Sequence, residues 1–216
     1  MNKRYIANAK KPIGEMGRKR IEEMNAHHAP LIDWGFKNIA DGNFQSVLDL
    51  GCGGGETTAK LLNFSNNIHC IGLDYSKVAV EAATKRNQAA ISEGRCRILK
   101  GDVANLPFEK NEFDLAVAVE TVYFWPYIET VFGEISRVLT PGGRFLILNE
   151  DDGESLDKQG KLKSIIPGIN FYTQNRLEEL LRPFFSEVQY FFCNLRFVLR
   201  VIKELLFENH KPVIDG

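Results

Sequence analysis

The sequence predicts an α/β fold: a doubly wound, mostly parallel sheet with helices on both faces. Three observations predict it. Past residue 44, short apolar runs alternate with helical stretches, the pattern of successive βαβ units. The early runs each end at a glycine cluster or an acid, where a strand would give way to a turn. The run at 113–119, apolar apart from Asp114, reads as a strand buried on both faces. At 216 residues the chain suits one compact domain, able to bury a full sheet between helix layers without disulfides or metal.

The elements follow in order. Residues 18–25 and 30–39 read as two short helices capping the sheet, so residues 1–43 form a helical cap or lid and 44–216 the main domain. Whether those helices serve as a lid or only as packing stays open at this level. Residues 47–50 make the first strand, closed by the glycines of 51–55, and a helix follows over 56–62. A second strand over 68–73 ends at Asp74, and Ser76 caps an alanine-rich helix to about 91. Residues 97–100 form a third strand ending at Gly101-Asp102, and 113–119 a fourth. Pro126 suits the first turn of a helix running to about 139; Pro141-Gly142-Gly143 is a turn, and 144–148 the fifth strand. Thr173 caps a helix through 181. Residues 187–193 and 195–202 form a closing pair of strands, although 197–207 also reads as an amphipathic helix.

A net charge of −1 gives no global reason to expect nucleic acid or an anionic membrane as partner. The charge is uneven, however: residues 1–40 carry eight Lys/Arg against four acids, so that segment is net +4 and the remainder net −5. It is a solvated helix face with a loose terminus, or else an arm attracting an anionic ligand. Cys52, Cys70, Cys96 and Cys193 form no CxxC pair and have no histidine at metal-ligand spacing, so no metal is expected from them. With no signal-peptide core and no membrane-length apolar run, a reduced, cytoplasmic protein is expected.

The chemistry concentrates in VLDLGCGGGETT, residues 47–58. A buried strand runs into a glycine-rich turn and then a helix, whose first N–H groups and positive dipole end are free. Glycines let a ligand approach the backbone more closely than any Cβ permits. The spacing Asp49-x-Gly51-x-Gly53-x-Gly55 sets an acid before the first glycine. That placement gains a pyrophosphate binder nothing, but it suits a ligand carrying an ammonium group. Asp74, nineteen residues beyond Gly55, ends the next strand and can accept hydrogen bonds from two vicinal ribose hydroxyls. Asp102 ends the third strand and can accept from an exocyclic amine such as that of adenine. Amine, ribose and adenine without phosphate are the outline of S-adenosylmethionine.

With GLDYS (72–76), GDV (101–103), FDLAVAVETVYFW (113–125) and RVLTPGGRFLILNE (137–150), the ordered segments resemble class I S-adenosylmethionine-dependent methyltransferases. The likeness covers residues 44–190, is strongest over 46–150, and is closest to the small-molecule branch that includes ubiquinone/menaquinone-type enzymes. It implies a Rossmann-like sheet of about seven strands with a last antiparallel strand, with S-adenosylhomocysteine as the product. It also implies that Asp49, Gly51 and Gly53 hold the methionine moiety, with Cys52, Gly55 and Thr57 from the same loop and helix start. Asp74 would hold the ribose, Tyr75 beside it would also bind the cofactor, Asp102 and Val103 would flank the adenine, and Glu120 would lie near the sulfonium.

Methyl transfer from a sulfonium is a direct displacement, so such an enzyme mainly aligns a nucleophile, and a base is needed only for a protonated acceptor. Candidates for that work are Glu120, Tyr123, Phe124 and Trp125 after the fourth strand, Asn149 and Glu150 after the fifth, Tyr172, and His27 and His28 between the two N-terminal helices. Of these, Glu120, Tyr123, His28 and Glu150 are the expected catalytic set, acting on a small-molecule acceptor. Two rival readings remain: a protein that binds S-adenosylmethionine without turnover, and a nicotinamide-dependent oxidoreductase, against which the glycine spacing and Asp49 both stand.

Overall fold

The computed structural model describes residues 3–150, 153–193 and 196–203. Within them seven strands form one sheet: β1 Ser46–Leu50, β2 His69–Asp74, β3 Cys96–Lys100, β4 Phe113–Val119, β5 Leu139–Asn149, β6 Glu187–Cys193 and β7 Arg196–Ile202. Their order is β3-β2-β1-β4-β5-β7-β6. Pairing is parallel from β3 through β5, while β7 runs antiparallel to both β5 and β6. The chain winds outward from β1 to β3, then restarts beside β1 at β4. The crevice between the carboxyl ends of β1 and β4 is therefore the switch point at which sheets of this kind bind ligands.

The helices are α1 Lys3–Ala7, α2 Gly14–Gly35, α3 Glu56–Phe64, α4 Lys77–Arg86, α5 Gln88–Ser92, α6 Ile128–Val138, α7 Leu156–Lys163 and α8 Gln174–Leu181. Strand alternation splits the core between the two faces. On one face Leu48, Ala116, Phe145 and Ile147 pack against Val131, Phe132 and Ile135 of α6 and Leu177 and Leu181 of α8. On the other, Val47, Leu115, Val117 and Leu146 pack against Leu31 and Ile32 of α2 and Leu61 and Leu62 of α3. Helix α6 buries Ile128, Val131, Phe132, Ile135 and Val138, spaced three and four apart. Each contributes roughly 1.5–3 kcal/mol by leaving water.

The structure departs from the sequence-based reading at four places. The two expected N-terminal helices are one, α2, with Pro30 inside it, followed by a short 3-10 turn at Phe36–Ile39. Burial of Leu31, Ile32 and Gly35 on the sheet outweighs the hydrogen bond that the proline forfeits. The helix from Ser76 breaks at Asn87, whose Nδ2 donates to Ala83 O at 3.0 Å and to Gly55 O at 3.1 Å, tying the break to the glycine loop. After Pro126, Tyr127 turns left-handed (φ 50°) and α6 starts only at Ile128. Pro141-Gly142-Gly143 lies within β5 as an irregularity, the pairing with β4 stepping from Phe113–Leu139 to Leu115–Arg144. The closing strands pair as read; residues 204–207 of the alternative helix lie outside the described residues. Cys52, Cys70 and Cys96 are buried free thiols, and among the described residues no helix is long and apolar enough to cross a membrane.

Candidate active site

A cavity of about 780 Å³ opens at the carboxyl ends of β1–β4 and is walled on one side by α2. Its floor is the glycine loop. Gly51 N and Cys52 N both donate to Leu73 O, at 2.8 and 3.0 Å, pinning the loop to β2. Gly51 has φ +70°, and a Cβ there would meet Thr121 Oγ1 at 2.3 Å. A Cβ on Gly53 (φ +52°) would meet only Gly51 O, at 4.0 Å, so this side of the loop is open. A ligand can use that space against bare backbone.

Gly53 N donates to Asp74 Oδ2 at 3.0 Å, and Asp74 Oδ1 accepts from Ser76 N at 2.8 Å. Loop and strand-end acid are thus one preformed unit. Burial pushes the Asp74 carboxyl above its ordinary range, against the pull of the Ser76 and Gly53 amides. Each oxygen keeps a second lone pair, enough for a vicinal diol. Asp102 is exposed, with Oδ1 accepting from Ala104 N at 3.0 Å, beside half-buried Val103. Gly51, Cys52, Gly53, Thr57, Asp74, Tyr75, Asp102, Val103 and Glu120 all line the cavity.

Two sequence-assigned residues do not. Gly55 sits behind the loop, against Ala83 and Asn87. Asp49 is buried, 1% exposed, and accepts from Thr58 Oγ1 at 2.6 Å. The alternation of β1 turns Asp49 to the same face as Val47, towards α3 and away from the cavity. Its carboxyl is pushed up to about 7, chiefly by burial, with the Thr58 hydroxyl opposing and the Asp74 charge adding. Asp49 braces the loop from beneath, so a direct hold on the methionine moiety is corrected to support.

Beyond β4, Glu120 adopts φ +53°, a left-handed conformation uncommon for glutamate and a form of backbone strain that clusters at functional sites. Its Oε2 accepts from Tyr123 Oη at 2.7 Å and its Oε1 from Glu150 N at 2.5 Å. His27 and His28 lie in the middle of α2, not between helices, and both line the cavity. His27 Nε2 is 2.9 Å from Glu150 Oε2. Glu120, Tyr123, His28 and Glu150 therefore gather around one end of the cavity. Phe124 and Trp125 contribute wall, Trp125 being almost wholly buried in the core. Asn149 is buried and Tyr172 packs on the core beside α6 and α8; neither lines the cavity.

Sequence reasoning named His27 and His28 on the N-terminal segment but missed Arg20 and Met24. All four line the cavity from α2, at spacings of four, three and one, a single helix face. Arg20 lines the cavity, its guanidinium 3.6 Å from Glu23 through Nη1 and its Nε buried without a hydrogen-bond partner. An unpaired buried guanidinium N–H fits a carboxylate ligand. Cationic Arg20, the bare Gly53 backbone, the Asp74 carboxylate and the Asp102 carboxylate together fit an adenosyl amino acid. The signal for Arg20 was the basic segment 1–40, visible once a continuous helix aligns it with the histidines.

Residues 48–147 match the family described as "Methyltransferase domain". Among curated proteins, the chain is 36% identical over 99 residues to the sterol 24-C-methyltransferase erg-4 of Neurospora crassa, a match covering 46% of this chain and 26% of that one. The sterol 4-C-methyltransferase strm-1 of Caenorhabditis elegans is 30% identical over 114 residues, covering 53% and 34%. The chain thus spans only about a quarter to a third of the curated relatives it matches. Among solved structures, an O-methyltransferase family protein from Burkholderia thailandensis superposes with a TM-score of 0.75 at 15% identity, over 88% of this chain and 60% of that one. Fold and family profile agree, and S-adenosylmethionine is the cofactor they imply. The match over residues 48–147, just under half of the chain, and the fold together resemble a class I S-adenosylmethionine-dependent methyltransferase domain.

Proposed function

We propose that this protein is an enzyme that moves the S-adenosylmethionine methyl group to a small organic acceptor by direct displacement. The observation that carries this reading is the Gly53–Asp74 hydrogen bond of 3.0 Å, which joins an open glycine loop to a diol-binding acid within one cavity. Arg20 pairs with the amino-acid carboxylate, and Gly51 and Gly53 cradle the methionine backbone. Asp74 and Tyr75 serve the ribose, and Asp102 and Val103 flank the adenine. The cofactor, when bound, supplies an electrophilic methyl on a sulfonium. Glu120, fixed by the Tyr123 hydroxyl, sits towards that end, and with Glu150 and His28 orients the acceptor. Alignment of this kind is worth about 7–11 kcal/mol of barrier when geometry is good.

The acceptor end holds carboxylates, imidazoles and a phenol against aromatic wall, which favours an acceptor with polar atoms. The curated relatives are named for sterols, a far more apolar class. The N-terminal half of α2, with residues 9–12, caps the site: Tyr75 Oη donates to Lys10 O at 2.5 Å and Ser76 Oγ to Pro12 O at 2.8 Å. Buried free thiols suit a reducing compartment such as the cytoplasm.

The test is transfer of labelled methyl from S-adenosylmethionine into a pool of cytosolic metabolites, with S-adenosylhomocysteine measured alongside. Formation of both a methylated metabolite and S-adenosylhomocysteine is expected, with loss of about 100-fold or more in Asp74→Ala, as for buried hydrogen bonds to a charged group. Tight S-adenosylhomocysteine binding with no turnover would favour the non-catalytic reading, and methylation of nucleic acid alone would overturn the acceptor class.

A further inference from the structure

His27, His28 and Glu150 each bring one ligating atom within 4.8 Å of the other two, on the wall of the cavity. His27 Nε2 and Glu150 Oε2 are already 2.9 Å apart, and the imidazole rings meet edge to face at 5.4 Å between centroids. Two imidazoles and one carboxylate are a donor set for zinc-class divalent ions. Ligands at about 2.1 Å in a tetrahedral site stand roughly 3.4 Å apart, so a small rotation closes the trio on an ion. His27, 67% exposed in its side chain, has the freedom to make that rotation. The backbone that carries the carboxylate ligand is fixed: Glu120 accepts from the Glu150 backbone N–H and is itself held by the Tyr123 hydroxyl.

We propose that His27, His28 and Glu150 form a binding site for a zinc-class divalent ion, with the fourth position open to the cavity for an oxygen of the methyl acceptor. This deepens the methyltransferase reading by naming the acceptor class, a hydroxylated molecule. On the ion, the acceptor hydroxyl is acidified and its proton leaves to solvent water. The oxygen–methyl bond then forms as the methyl–sulfur bond breaks, with sulfur keeping the electron pair. A hydrogen-bonded His27–Glu150 pair acting alone would make no use of His28, and the two ideas part there.

The experiment is a titration of the metal-stripped full-length protein with Co²⁺, followed by its visible spectrum, with S-adenosylhomocysteine affinity measured calorimetrically on the same samples. Saturable binding with four- or five-coordinate bands is expected, weakened at least about tenfold in His28→Ala and in Glu150→Gln, while S-adenosylhomocysteine affinity is retained. X-ray absorption of the zinc-loaded wild type needs no variant and should show two imidazole ligands. Absence of saturable binding, equal affinity in His28→Ala, or a sulfur shell pointing to Cys52 in the same cavity would overturn the site. Failure of S-adenosylhomocysteine to bind while Co²⁺ binds would instead remove the methyltransferase reading and the acceptor role with it.

Discussion

Asp49 carries a cost that its position explains. An aspartate in an unfolded chain titrates near 4, whereas folded Asp49 is pushed up to about 7 by burial. Between those values the folded protein keeps a proton that the unfolded chain has lost. Stability therefore falls as pH rises from about 4 to about 7, and the penalty is complete above that. At about 1.4 kcal/mol per pH unit the penalty is on the order of a few kcal/mol. Asp49→Asn keeps an oxygen for the Thr58 hydroxyl and removes the charge. It should be more stable than wild type at pH 8 by roughly 1–4 kcal/mol, with the gap closing near pH 4 in denaturant titrations. Arg20→Ala should weaken S-adenosylhomocysteine binding about 10- to 100-fold, the worth of a buried charge-assisted hydrogen bond; calorimetry reads it directly. Asp74 and Asp102 were legible because each ends an apolar run. The inward turn of Asp49 was not, since motif spacing says nothing about which face of a strand a side chain takes.

At the scale of elements, α2 both walls the cavity and completes the core. Its later half buries Leu31 and Ile32, while its middle brings Arg20, His27 and His28 to the site. The contact between α2 and the glycine loop is close: a Cβ on Gly54 would meet Asn25 Nδ2 at 2.3 Å and Ile21 Cγ2 at 2.4 Å. Gly54→Ala should push the helix off the loop. The expected outcome is at least a tenfold loss of S-adenosylhomocysteine affinity together with faster proteolysis within residues 1–43. A Gly54→Ala protein that binds normally would mean that the helix plays no part in the site. Pro30 hid this element, because local rules end a helix there and only packing against the sheet carries it through. Strand positions, by contrast, were readable from apolar runs alone.

At the scale of the molecule, the strand order puts the cavity-lining segments that follow β1 to β5 at one edge of the sheet, so ligand binding and global stability are linked. S-adenosylhomocysteine at a hundredfold excess over its dissociation constant should add about 2.7 kcal/mol. For a chain of this size that is a rise of about 5–10 °C in the melting temperature. Fold class and antiparallel closure were legible from the alternation of apolar runs and from the family likeness. The convergence of α2 with the ends of β4 and β5 was not, because it joins His27 to Glu150 across 123 positions of sequence. The most direct measurement is a calorimetric titration of the protein with S-adenosylhomocysteine and, separately, with NADH. Saturable binding of the first alone, abolished in Asp74→Ala, is the expected result; binding of NADH with no response to S-adenosylhomocysteine would contradict the account.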